Sequence, residues 1–149
     1  MNHAYHGPSA AIAAHPLYST FVSFPSACFI GTLMNDIAYW RTGNLQWQNF
    51  SEWLLFAGLV VGGFVLLAEI IAQFRTSRTA PGGGWLRVIG MLVVLVLAFI
   101  NSLVHARDGW TAVVFDGLIL SATTVAVMIV TGLVGKLSVR RASGAVHNG

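Results

Sequence analysis

Four apolar stretches, residues 16–40, 51–74, 85–105 and 111–137, are separated by short polar breaks. A helix rises about 1.5 Å per residue and the hydrocarbon layer of a bilayer is about 30 Å thick, so a run of about twenty apolar residues crosses it. Inside lipid every backbone N–H and C=O must be paired within the protein, and a segment of this kind has to be helical to do so. The sequence is 56% hydrophobic and 9% charged, against about 25% charged residues in soluble domains. It therefore predicts an all-α integral membrane bundle of four transmembrane helices, occupying residues 15–137. Residues 1–14 form a flexible lead-in and residues 138–149 a basic tail.

The first stretch carries more polar groups than an anchor needs. His15, Ser19, Ser23 and Ser26 recur at offsets of four, four and three, which places them on one helix face that should look into protein. Pro25 cannot donate to the carbonyl of Phe21, so a kink is expected there. The lone Cys28 excludes an intramolecular disulfide. His3 and His6 read as exposed tail residues.

Arg41 to Asn49 reads as an interfacial loop with a turn at Thr42-Gly43-Asn44, and the second helix opens at Ser51-Glu52. Gly58-x-x-x-Gly62 lets another backbone approach closely, as do Gly117, Ser121, Gly132 and Gly135 in the fourth stretch; these six are the expected helix-packing residues. Arg75 to Gly84, with two arginines, a proline and three glycines, is a water-facing connection. Arg75, Arg78, Arg87, Lys136, Arg140 and Arg141 fall on the side of the termini, against Arg41 and Arg107 on the other. The excess of positive charge places both termini in the cytoplasm. Trp40, Trp47, Trp53 and Trp110 then gather on the outer side, as an aromatic belt or a docking surface would.

Ionisable groups inside a membrane are costly and default to paired or functional positions. Glu69 and Arg87 lie at similar depth on consecutive helices and are expected to pair. Asp36, Arg41, His105, Arg107, Asp108 and Asp116 collect toward the outer side. Two charge-compensated layers that fix helix register are the favoured reading; a proton path or a quinone site is the functional alternative. Its residues would be His15, Ser23, Glu69 and Arg87 on the cytoplasmic side and Asp36, Asn101, His105 and Asp116 on the outer side. A bundle core can hold heme where two axial ligands face each other at similar depth, whereas His15 and His105 fall about 30 Å apart, at opposite faces of the bilayer. His15 with Met91, or His105 with Met34, would match in depth. No phosphate-binding loop, nucleophile elbow or cysteine pair is present, so no catalytic residue, resident cofactor or metal site is expected.

His15-Pro16-Leu17-Tyr18, Phe24-Pro25, Asp36-Ile37-Ala38-Tyr39-Trp40 with Thr42-Gly43, and Trp53-Leu54-Leu55 with Ala57-Gly58-Leu59 together resemble the bacterial membrane proteins of the domain of unknown function 2231. Asn101 and Thr131-Gly132-x-x-Gly135-x-Leu137 extend the likeness more weakly. The resemblance implies a four-helix domain of the bacterial inner membrane, sometimes joined to or encoded near redox proteins, and brings no catalytic residues. Positions where members carry histidine are Tyr18, Ser23 and Arg87 here, so no histidine ligand set carries over.

The expected function is that of a non-catalytic membrane subunit, an anchor or assembly partner of a redox complex. Its partners would be the lipid bilayer and other protein subunits, among them a periplasmic or membrane redox protein or further copies of the chain, and no nucleic acid. The alternatives are an electron- or proton-transfer module binding quinone or heme b and, more weakly supported, a small transporter.

Overall fold

The computed structural model of the chain describes residues 16–75, 84–107 and 113–147. They form four helices, α1 (Pro16–Thr42), α2 (Leu45–Arg75), α3 (Gly84–His105) and α4 (Leu118–His147), with one π-helical turn, Val113–Gly117, leading into α4. Each of the four contains a stretch long and apolar enough to cross a membrane, and no strand occurs among the described residues. The helices form a ring: α1 packs on α2, α2 on α3, α3 on α4, and α4 back on α1.

Two boundaries differ from the sequence expectation. The loop expected over Arg41 to Asn49 shrinks to Gly43 and Asn44, and α2 begins at Leu45 rather than Ser51. The cause is local capping. Gly43 takes φ +63 and its N–H bonds the carbonyl of Tyr39, a left-handed end to α1 that favours glycine. The Asn44 side chain then accepts from the N–H of Gln46 and starts α2 at once. At the other end, α4 continues to His147 through the residues read as a tail; a formed helix propagates where nothing breaks it.

Which residues face inward follows a spacing of three and four. On α1 the inward residues are Pro25, Cys28, Phe29, Thr32, Asp36 and Tyr39; on α2, Ser51, Leu55, Gly58, Gly62 and Val65. On α3 they include Val94, Ala98, Asn101 and His105, and on α4, Ser121 and Thr124. The expectation that Ser23 and Ser26 share a protein-facing stripe is overturned: Ser26 is half-buried but Ser23 is exposed. Pro25 and Phe29 claim the inward face, and Ser23 stands two residues, about 200°, around the helix from Pro25. Outward, Trp53, Phe64, Phe74 and Phe115 are each at least 70% exposed, a surface suited to lipid and a liability in water.

The glycines set how closely the ring closes. A side chain at Gly58 would come within 2.7 Å of the Phe29 ring, and one at Gly62 within 2.7 Å of Leu95. Gly58-x-x-x-Gly62 thus seats α2 against α1 and α3 of the same chain. Gly90 on α3 meets the side chain of Thr131 on α4 so closely that no Cβ fits, a contact the sequence reading did not pick out. Gly117 is buried, whereas Gly132 faces open space. Phe29, Leu55, Val94 and Ala98 form the apolar core, with Leu59, Leu95, Val127 and Met128 packed on it.

Candidate functional site

Two polar regions lie on opposite sides of that core. The first is closed. Asp36 on α1, 2% exposed, lies six residues before the end of α1, about 9 Å along the axis. All three other helices reach it. Ser51 of α2 donates to Oδ1 and Ser121 of α4 to Oδ2, both at 2.5 Å. His105 of α3 places Nε2 at 3.0 Å from Oδ1. Asn101, one turn before His105, donates from Nδ2 to the Ser121 hydroxyl at 2.7 Å. Thr32 adds its carbonyl as a second acceptor for Ser51 at 3.3 Å.

The protons in this network can be counted. His105 Nδ1 lies 3.0 Å from the carbonyl oxygen of Asn101, which can only accept, so Nδ1 carries hydrogen. The contact between Nε2 and Asp36 Oδ1 needs one further proton. If it sits on nitrogen, the pair is imidazolium and carboxylate; if on oxygen, it is neutral imidazole and carboxylic acid. Both arrangements are net neutral, which is what a low-dielectric interior tolerates. Removing that proton would set two lone pairs against each other beside an uncompensated carboxylate. Both ring nitrogens of His105 are therefore committed. Asn101 Oδ1 is buried without a hydrogen-bond partner.

The second region is open. A cavity of about 650 Å³ lies between α1, α3 and α4, with Glu69 of α2 at its edge. Apolar side chains, among them Val22, Phe29, Met91, Leu95 and Met128, line most of it, and Ser26 and Thr131 add hydroxyl-bearing residues. Arg87 Nη2 donates to Glu69 Oε1 at 2.6 Å, with the arginine side chain 56% and the glutamate 12% exposed. Gly132 and Gly135 leave part of the α4 wall without side chains.

The sequence-selected residues separate accordingly. Asp36, Asn101, His105 and Ser121 come together in the closed network, and Glu69 and Arg87 at the cavity. Asp116 is exposed on the π-helical turn, outside the network. Ser23 lies beside Thr20, Phe24 and Ala27 on a shallow outer groove, not in the cavity. Arg41 stacks over its neighbour Trp40 at 5.5 Å, and Arg107 is exposed. His15, Asp108, Trp110 and the lead-in lie outside the described residues. Sequence reading missed Ser51 and Thr32. Ser51 could have been found as the first member of the stripe Ser51, Leu55, Gly58, Gly62, since a serine in register with a buried glycine face also points inward.

The model of the family described as predicted membrane protein, DUF2231, matches residues 14–148. The chain belongs to this family. No curated protein and no solved structure matches it. For this DUF2231 chain a heme ligand set has to be found in its own residues. His105 does not fit, because an axial ligand needs a free ring nitrogen and both of its nitrogens are engaged. Among the described residues no three His, Cys, Asp or Glu side chains are grouped to hold a metal ion.

Proposed function

We propose that this DUF2231 chain is a non-catalytic subunit of the bacterial inner membrane that anchors or helps assemble a redox complex. One observation carries the reading. The buried titratable pair toward one end of the bundle, Asp36 with His105, has its hydrogen bonds filled from within the four helices. Such an arrangement suits a bolt that fixes helix register rather than a group that reacts. The redox association draws on the family resemblance set out above, and the outward aromatic side chains Trp40 and Trp53 offer contact surface to a partner or to lipid.

The proposed orientation has both termini in the cytoplasm, from the six basic residues on their side against two on the other. Thr42→Cys should then react with an impermeant maleimide added to intact cells, and Ser143→Cys should not. The reverse pattern would invert the topology.

Purification in mild detergent, with an absorption spectrum and identification of co-purifying proteins, tests the role. A colourless chain that brings an oxidoreductase subunit with it supports the reading. Stoichiometric heme in the isolated chain, lost on His105→Ala, would replace it with a transfer module.

A further inference from the structure

We propose that the cavity between α1, α3 and α4 is a binding site for an uncharged aromatic or quinonoid ring that carries carbonyl or hydroxyl groups. This goes beyond the anchoring role and does not depend on it.

Size is the first argument. At about 650 Å³ the cavity falls within the range of about 300–1,000 Å³ typical of small-molecule sites. Its wall is also built to stay open. Gly132 lines it with nothing within 4 Å of where a Cβ would stand, and Gly135 adjoins the stem of Arg87 at 4.0 Å. Ordinary side chains at these two positions would narrow it.

The lining then selects the ligand. Met91 on α3 and Met128 on α4 both face the space that Phe29 bounds. Thioether sulfur makes favourable contacts with ring edges, and methionine adapts to flat shapes. The polar edge is a formally neutral ion pair, Glu69 with Arg87. An anionic head would meet the glutamate carboxylate and a cationic head the guanidinium. An uncharged head avoids both. Its carbonyl can accept from the guanidinium N–H groups that Glu69 does not use, and a hydroxyl can donate to Glu69 Oε2. Ser26 and Thr131 can serve a second oxygen across the ring.

Duroquinone (tetramethyl-1,4-benzoquinone) is a suitable probe, because its ring is fully substituted and cannot alkylate Cys28. Binding to the full chain in detergent would be measured by calorimetric titration beside decanoate and decyltrimethylammonium, which share an apolar body and differ in head charge. Duroquinone should bind saturably, and each charged amphiphile at least tenfold more weakly. Gly132→Phe, whose ring enters the open space, should weaken duroquinone at least tenfold while leaving the melting temperature within a few degrees. Should that variant fail to fold, Arg87→Gln, on an exposed side chain, serves in its place with an expected loss of threefold or more. Absence of saturable duroquinone binding, unchanged affinity in a folded Gly132→Phe or Arg87→Gln, or a charged amphiphile bound as tightly as the quinone would each overturn the assignment. Because the readout is direct binding, its failure leaves the anchoring role standing.

Discussion

The two ends of the bundle handle charge in opposite ways. At one end Asp36 and His105 are 1% and 0% exposed at the side chain and are bonded by residues from all four helices; at the other, Glu69 and Arg87 form a pair whose arginine is 56% exposed beside a cavity. A buried pair is costly to strip of one member, because the remaining charge has neither water nor partner. Where the arginine is 56% exposed, water and salt can take the place of its lost partner. The same type of contact therefore acts as a fastener at the first end and as a replaceable rim at the second.

The largest effect is expected at the closed end. Asp36→Ala and His105→Ala should each destabilise the bundle by about 3–5 kcal/mol, read from reversible unfolding in detergent. The double variant Asp36→Ala with His105→Ala should cost clearly less than the sum of the singles, since it leaves no orphaned charge. Strict additivity would mean that the pair does not act as a unit. An intermediate effect belongs to the cavity end, where two glycines on neighbouring helices differ. Gly90→Val drives a side chain into Thr131 and should cost about 1–3 kcal/mol. Gly132→Ala, facing open space, should be neutral or gain up to about 1 kcal/mol from helix propensity. Equal destabilisation by the two would show that the cavity is closed in the membrane. The smallest effect is reserved for the rim. Glu69→Gln, which leaves only the exposed guanidinium without its partner, should change stability by less than about 1 kcal/mol, and the difference should shrink further in high salt. A loss as large as that of Asp36→Ala would erase the distinction between the two ends.

The architecture was legible because it follows from a solvent constraint: segments of this apolar length have one way to pair their backbones in lipid. The Glu69–Arg87 pair was legible too, since depth along consecutive helices can be counted from the sequence. The inward faces were harder to read. Serines at offsets of four and three marked a face of α1, yet Ser23 turns outward because Pro25 and Phe29 hold the inward position. A serine hydroxyl carries no such compulsion, as it can bond a carbonyl one turn back on its own helix; Thr32 does so to Cys28. Asp36 and His105 were placed at the same end by counting, but their union depends on helix rotation, which hydropathy does not encode. Ser51-Glu52 resembles a helix start in sequence, but the cap at Asn44 begins α2 earlier and leaves Ser51 inside the helix as the α2 donor to Asp36. The cavity had no sequence signal beyond two glycines that also read as packing residues.

Between the two polar ends stand Phe29, Leu55, Val94 and Ala98, with no hydrogen-bonding side chain among them. Where a membrane sustains an electrical potential, each elementary charge crossing 100 mV releases about 2.3 kcal/mol. A bundle holding an acid, a base and an ion pair at its two mouths would leak that gradient if a chain of water or side chains joined them. The apolar cluster supplies no side chain to such a chain. Those four side chains offer no hydrogen bond to an ion or proton leaving Asp36 for the Glu69 side. The polar groups at the two ends are thus set apart by an apolar cluster that cannot relay a proton.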